Sequence, residues 1–250
     1  MNTNATMAVI SVLALCLPVV MLLITGLLKY KSFPVLCSYY LLMIFDNCVG
    51  EGYLYVPVKF SHYSAVINNL LDPLLMLGFL TYFSHSRIIK KRIIQHILTL
   101  IVFDIIVVSI FGFTDNALSI ALGPGLGSVA LLSVYFFQHQ VKLSVIRGKA
   151  IGKAVMISAL TFMYGSYFIS YLMYFVFKNH DLANTYLILY FINLFSSTTM
   201  AIGILVEKQR VKKLQELLIV RKEIAEIYAS VSYQPAKPKV FTIFKKKLHI

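Results

Sequence analysis

Seven apolar stretches, most of about 20 residues, leave this chain little choice of fold. They run over Ala8–Leu28, Ser32–Val56, Ile67–Phe83, Ile93–Gly112, Ala117–Phe137, Ala154–Phe177 and Tyr186–Val206. At about 1.5 Å per residue, a helix of that length crosses a hydrocarbon layer about 30 Å thick. Lipid offers no partner to an exposed backbone N–H or C=O, so each stretch must satisfy its own as a helix. A barrel would need short segments alternating apolar and polar residues, and no such alternation is present. The predicted fold is all-α, a polytopic membrane protein built as a seven-transmembrane-helix bundle.

Charge predicts the orientation. With the N-terminus outside, Lys29 and Lys31, the group Arg87, Lys90, Lys91 and Arg92, and the group Lys142, Arg147, Lys149 and Lys153 all face the cytoplasm. Everything basic after the seventh helix joins them, and of 23 Lys and Arg only Lys59 and Lys178 stay outside. This is the positive-inside pattern, and it predicts N-out, C-in. The net charge of +13 then reflects topology and attraction to anionic lipid, with no call for nucleic acid as a partner. The expected location is a plasma membrane, of the bacterial inner-membrane kind. The first stretch is expected to stay as a membrane helix and not to be a cleaved signal, because Met1–Met7 carries no Lys or Arg and Lys29 lies beyond it.

Two parts are expected: a transmembrane domain over residues 1–206 and a cytoplasmic basic segment over 207–250. Glu207–Ala229 has no Gly or Pro and sets Leu214, Leu217, Leu218 and Ile224 against Lys212, Lys213, Arg221 and Lys222, an amphipathic helix. Such a helix either lies on the inner leaflet or continues the seventh helix toward a cytoplasmic protein partner. Pro235 and Pro238 end it, and Lys245-Lys246-Lys247 is read as a flexible, lipid-touching tail. No cytoplasmic kinase or cyclase domain is expected in so short a segment.

Four acids fall inside apolar stretches: Asp46, Glu51, Asp72 and Asp104. A carboxylate at a helix centre costs roughly 2.5–3.5 kcal/mol on insertion scales, so each needs compensation. Asp46, Asn47 and Glu51 on the second helix, Asn69 and Asp72 on the third, and Asn193 and Ser196 on the seventh fall at similar depth. Tyr167 and Tyr171 on the sixth share a stripe. Together they predict a polar cavity open to the outside, taking a small extracellular ligand, a cation or a proton. Packing accounts for parts of it equally well: a tyrosine stripe between helices, Asp72-Pro73 capping the third helix, Asp104 in one interhelical hydrogen bond. Gly123-Pro124-Gly125-Leu126-Gly127 is expected to bend the fifth helix and free backbone groups. No metal site, cofactor or catalytic set is predicted: HxxxH and HExxH spacings are missing, and no His lies deep enough to build a Ser-His-acid group.

The seven-helix plan resembles rhodopsins and G-protein-coupled receptors in topology alone. Tyr186–Val206 has no lysine for retinal, and Phe83-Ser84-His85-Ser86-Arg87 stands where receptors carry Asp-Arg-Tyr. It is also similar in plan to sugar transporters of two three-helix repeats, but Pro18 and Pro124 are followed by Val19 and Gly125 where that pattern has glutamine. Asn69-Leu70-Leu71-Asp72-Pro73-Leu74-Leu75, Leu122-Gly123-Pro124-Gly125-Leu126 and the charged helix after Glu207 resemble small seven-helix proteins of bacterial inner membranes, a likeness that implies no activity. The expected function is a receptor or sensor module, its outer cavity coupled to the Glu207–Ala229 helix. A proton- or cation-coupled transporter is the alternative. A structural subunit and an intramembrane hydrolase follow.

Overall fold

The computed structural model describes residues 3–30, 32–147, 150–177 and 182–232. Seven helices among them are long and apolar enough to cross a membrane, as the sequence predicts. They are α1 (Thr3–Thr25), α2 (Phe33–Gly50), α3 (Val58–Leu80), α4 (Arg87–Phe111), α5 (Asp115–Arg147), α6 (Ile151–Tyr171) and α7 (Leu182–Ser232). The Lys245–Lys247 tail, Pro235, Pro238, Lys31, Lys149 and Lys178 lie outside the described residues.

Local chemistry sets the ends. Gly26 follows α1 at φ +67° and Gly112 follows α4 at φ +68°, a left-handed geometry that glycine adopts without a Cβ penalty. Ser86 caps α4 by accepting the Ile88 N–H at 3.2 Å. Several boundaries differ from the hydropathy pattern, three of them with consequences for the interior. α2 stops at Gly50, because Glu51 closes the last turn and Gly52 turns away at φ +75°. α3 begins at Val58, so Lys59, Ser61, His62 and Ser64 form polar helical turns. α5 runs on through Gln138, His139, Gln140 and Lys142 to Arg147.

α5 is also continuous through Pro124, and its glycines serve close approach. A Cβ on Gly125 would meet the Pro73 ring at 2.9 Å, and one on Gly123 would meet the Tyr171 hydroxyl at 2.6 Å. The bundle is organised around α3, which packs on α2, α4 and α5, and α5, which packs on α3, α4 and α6. α6 meets α7 through Gly203, where a Cβ would strike Met156, and through the edge-on pair Phe162–Phe195. Leu13, Ile24, Ile110 and Leu131 are among the many large apolar side chains that face outward, an arrangement suited to lipid and costly in water. The chain forms two compact units, Met1–Arg210 and Val211–Ile250.

Candidate functional site

The interior of the first unit carries polar groups at two levels. The first level is centred on Asp72, which lies inside α3 and is buried. Because α3 continues through Pro73 to Leu80, the Asp72-Pro73 pair does not end the helix. The Tyr164 hydroxyl of α6 donates to the Asp72 carboxyl. Tyr39 of α2 brings its hydroxyl beside Tyr164 and donates to the Met163 sulfur at 3.7 Å. The Tyr164 and Tyr167 rings stand edge to face at 6.0 Å, and the Tyr167 hydroxyl donates to the Asn193 side-chain oxygen on α7. Nearby, the hydroxyls of Tyr40 and Ser197 are buried, and among the described residues neither has a hydrogen-bond partner. Asp72 of α3 is therefore held by one phenol of α6 with further phenols of α2 and α6 close by, and Asn193 of α7 is tied to the same group through Tyr167.

The remaining predicted residues scatter around this centre. Asp46 lies beside Asn68, whose amide donates to the Met43 sulfur at 3.8 Å. Asn47 turns back to its own helix, donating to the Met43 carbonyl at 2.8 Å. Glu51 is exposed at the end of α2 and accepts from the Tyr190 hydroxyl. Ser196 donates to the Ile192 carbonyl at 2.5 Å within α7, and Tyr171 donates to the Ser119 carbonyl of α5 at 2.7 Å. Asp104 and Asn69 line a separate cavity of about 10 Å³ between α3, α4 and α5. That space suits about one water. Pro73 has no N–H for the Asn69 carbonyl, so a backbone acceptor left over by the helix belongs to a residue lining the same cavity as the Asp104 carboxyl. Among the predicted residues, the structure thus unites Asp72, Tyr167 and Asn193, and leaves Asp46, Asn47, Glu51, Asn69, Asp104, Tyr171 and Ser196 on separate contacts.

The second level lies at the opposite end of the bundle from Glu51. Glu207 of α7 is fully buried, and one of its oxygens accepts from both the Tyr82 hydroxyl and the Arg210 guanidinium. Arg210 also donates through Nε to that oxygen at 2.8 Å and through Nη2 to the Tyr82 hydroxyl at 3.2 Å. Lys153 of α6 donates to the Tyr82 carbonyl at 3.1 Å and sits 4.2 Å from the Tyr82 ring centre, a cation–π distance. Gly152 makes the closeness possible, since a Cβ there would lie 2.6 Å from the Glu207 backbone nitrogen. The second Glu207 oxygen is buried, with no partner among the described residues.

Sequence reasoning did not single out this cluster. Its signals were the Glu207/Arg210 spacing of three on a helix and a glycine beside Lys153, both too common to stand out. Tyr164 was closer to view, one turn before Tyr167 on the same stripe. Among the described residues, no three His, Cys, Asp or Glu side chains gather where they would hold a metal, and Cys16, Cys37 and Cys48 are free thiols.

Among the described residues, fold and interior together define an all-helical, multi-pass type of protein with two buried groups of polar side chains inside an otherwise apolar bundle. No protein-family model, curated protein or solved structure matches the chain.

Proposed function

We propose that this protein is a membrane receptor or sensor module. It lies in the plasma membrane with its N-terminus outside and C-terminus in the cytoplasm, the direction in which the Lys and Arg asymmetry points. A small ligand, cation or proton arriving from the Glu51 end perturbs the Asp72–Tyr164 and Tyr167–Asn193 contacts. The response travels along α7. One observation carries this reading: the same helix supplies Asn193 to the central polar group and Glu207 to the charged cluster. Fourteen residues separate them, close to four turns and about 21 Å, so both project from nearly one face. A shift of α7 that breaks one contact therefore strains the other. Since Glu207 is buried, the surface offered to a cytoplasmic partner is the exposed apolar row of Leu214, Leu217, Leu218 and Ile224 in the second unit.

The test uses spin labels at Ile151 on α6 and Lys208 on α7, both exposed, in a chain whose three cysteines are replaced by Ala. Asp72→Asn mimics the neutral acid. A changed distance distribution between the labels is expected, and an unchanged one would sink the relay. The second reading, a proton- or cation-coupled transporter, draws on a membrane acid partnered by phenols instead of a cation and on a charged cluster placed like an inner gate. Proteoliposomes that pass protons or cations with the wild-type chain and lose that flux with Asp72→Asn would favour it over the receptor.

A further inference from the structure

An open groove of about 530 Å³ runs between α4 and α5 on the outer surface of the bundle. Its walls come from matched positions: Ile89, Ile93 and His96 on α4, and Ser128, Leu131, Leu132 and Tyr135 on α5. The spacing of three, four and seven makes each wall a single helix face. The groove is asymmetric along its length. At one end the His96 ring and the Ser128 hydroxyl meet at 2.8 Å and close the floor between the helices. Toward the other, Arg92 lines the groove. From Ile89 to His96 the rise is about 10 Å.

Arg92 is not isolated. Arg87, Lys90 and Lys91 share the first two turns of α4 with it, and all are exposed. No acid lines the groove, and among the described residues Arg92 makes no ion pair. α4 is the most peripheral of the membrane-length helices, with only 17% of its apolar window buried. The occupant must therefore be apolar along its body and anionic at one end. A second copy of this chain fits poorly, because its own basic helix ends and its charge of +13 would be brought against this one.

We propose that the groove is a binding site for an anionic phospholipid of the inner leaflet. The phosphate lies against Arg92. The first part of one acyl chain lies over Ile89, Ile93, Leu131 and Leu132, and its remainder continues into the bilayer past the His96–Ser128 contact. Tyr135 flanks the head group, where an amphipathic ring is suited to the boundary between water and hydrocarbon. The site rests on the chain's being membrane-embedded, its assignment to the inner leaflet rests on the proposed N-out orientation, and both are independent of the receptor reading.

The experiment is native mass spectrometry of the full chain released from detergent with phosphatidylglycerol or phosphatidylcholine. Wild type is compared with Arg92→Gln, Arg87→Gln and Leu132→Trp, with each variant's melting temperature recorded. One basic side chain near an anionic surface contributes a preference of about five-fold. Wild type should retain phosphatidylglycerol over phosphatidylcholine by at least that factor. Arg92→Gln should lose about five-fold of the preference, Arg87→Gln should keep it, and Leu132→Trp should release both lipids by filling the wall. Equal retention of the two lipids by wild type would overturn the proposal. So would equal losses in the two arginine variants, which would mean diffuse attraction and no site. If Leu132→Trp splits a dimer and leaves lipid retention unchanged, the groove is a contact between copies, and the lipid assignment falls.

Discussion

Replacing Arg210 by Met should cost this protein more than replacing its partner Glu207 by Gln, although both changes delete the same ion pair. Glu207 is fully buried and Arg210 is about one-third exposed. Without the guanidinium, the Glu207 carboxylate keeps one hydrogen bond, from the Tyr82 hydroxyl, and the more distant charge of Lys153, while its other oxygen has no partner among the described residues. Breaking a buried pair by removing one side typically costs about 3–5 kcal/mol. The partial exposure of Arg210 and the surviving tyrosine bring the expectation for Arg210→Met down to about 2–3 kcal/mol. Glu207→Gln keeps an acceptor for Tyr82, and the stranded guanidinium reaches water, so its cost is about 1 kcal/mol. The double variant removes the unpaired charge and should be no worse than Arg210→Met, giving a coupling of about 1 kcal/mol. Reversible unfolding in mixed micelles, titrated with SDS, measures all three. Single costs within 0.5 kcal/mol of each other, roughly the error of such additions, together with an additive double variant, would refute the reasoning.

Gly152→Ala should destabilise by about 1–3 kcal/mol in the same assay, because the new methyl meets the Glu207 backbone, which cannot rotate away. Gly165→Ala, on the same helix with open space around it, should instead be neutral or stabilising by up to about 1 kcal/mol. Tyr164→Phe removes one interhelical hydrogen bond to Asp72 and should cost about 0.6–1.7 kcal/mol, the range for such bonds in membranes, whereas Tyr171→Phe should cost no more than the lower figure because the Ser119 carbonyl it leaves is part of a helix. Single cysteines introduced at Tyr55 and at Lys90, both exposed, should react with an impermeant thiol reagent on opposite sides of intact cells, Tyr55 outside and Lys90 only after permeabilisation. The reverse pattern would invert the orientation.

Number and type of helices were legible because insertion is decided by local hydropathy, and each span carries its own signal. The ends were less so. Lys59, His62 and Ser64 precede the apolar stretch that starts at Ile67, yet they sit in the first turns of α3, since a helix continues beyond the hydrocarbon wherever no glycine or proline stops it. Gly-Pro-Gly in α5 read as a bend that frees backbone groups; α5 runs on through it, and its glycines make a packing surface for Pro73 and Tyr171. The candidate site was partly legible for the same reason. Asp72 announced itself by its cost in lipid, but depth alone does not say which face of which helix meets it, so Asp46 and Asp104 were grouped with it although each has its own surroundings. Tyr39 and Lys153 gain their roles only from helices far away in the chain.

That separation has a consequence for synthesis. Asp72 and the tyrosine that binds it lie 92 residues apart, and Tyr82 and Glu207 lie 125 apart. At about 5–20 residues per second, α3 waits roughly 5–18 s in the membrane before Tyr164 has even been made. During that interval the nascent chain carries an acid whose relief depends on helices still in the ribosome. α6 and α7 are therefore also the completing pieces of a half-built bundle. A stall before α6 would leave an intermediate marked by an unclaimed carboxyl, a feature that membrane quality control is suited to detect.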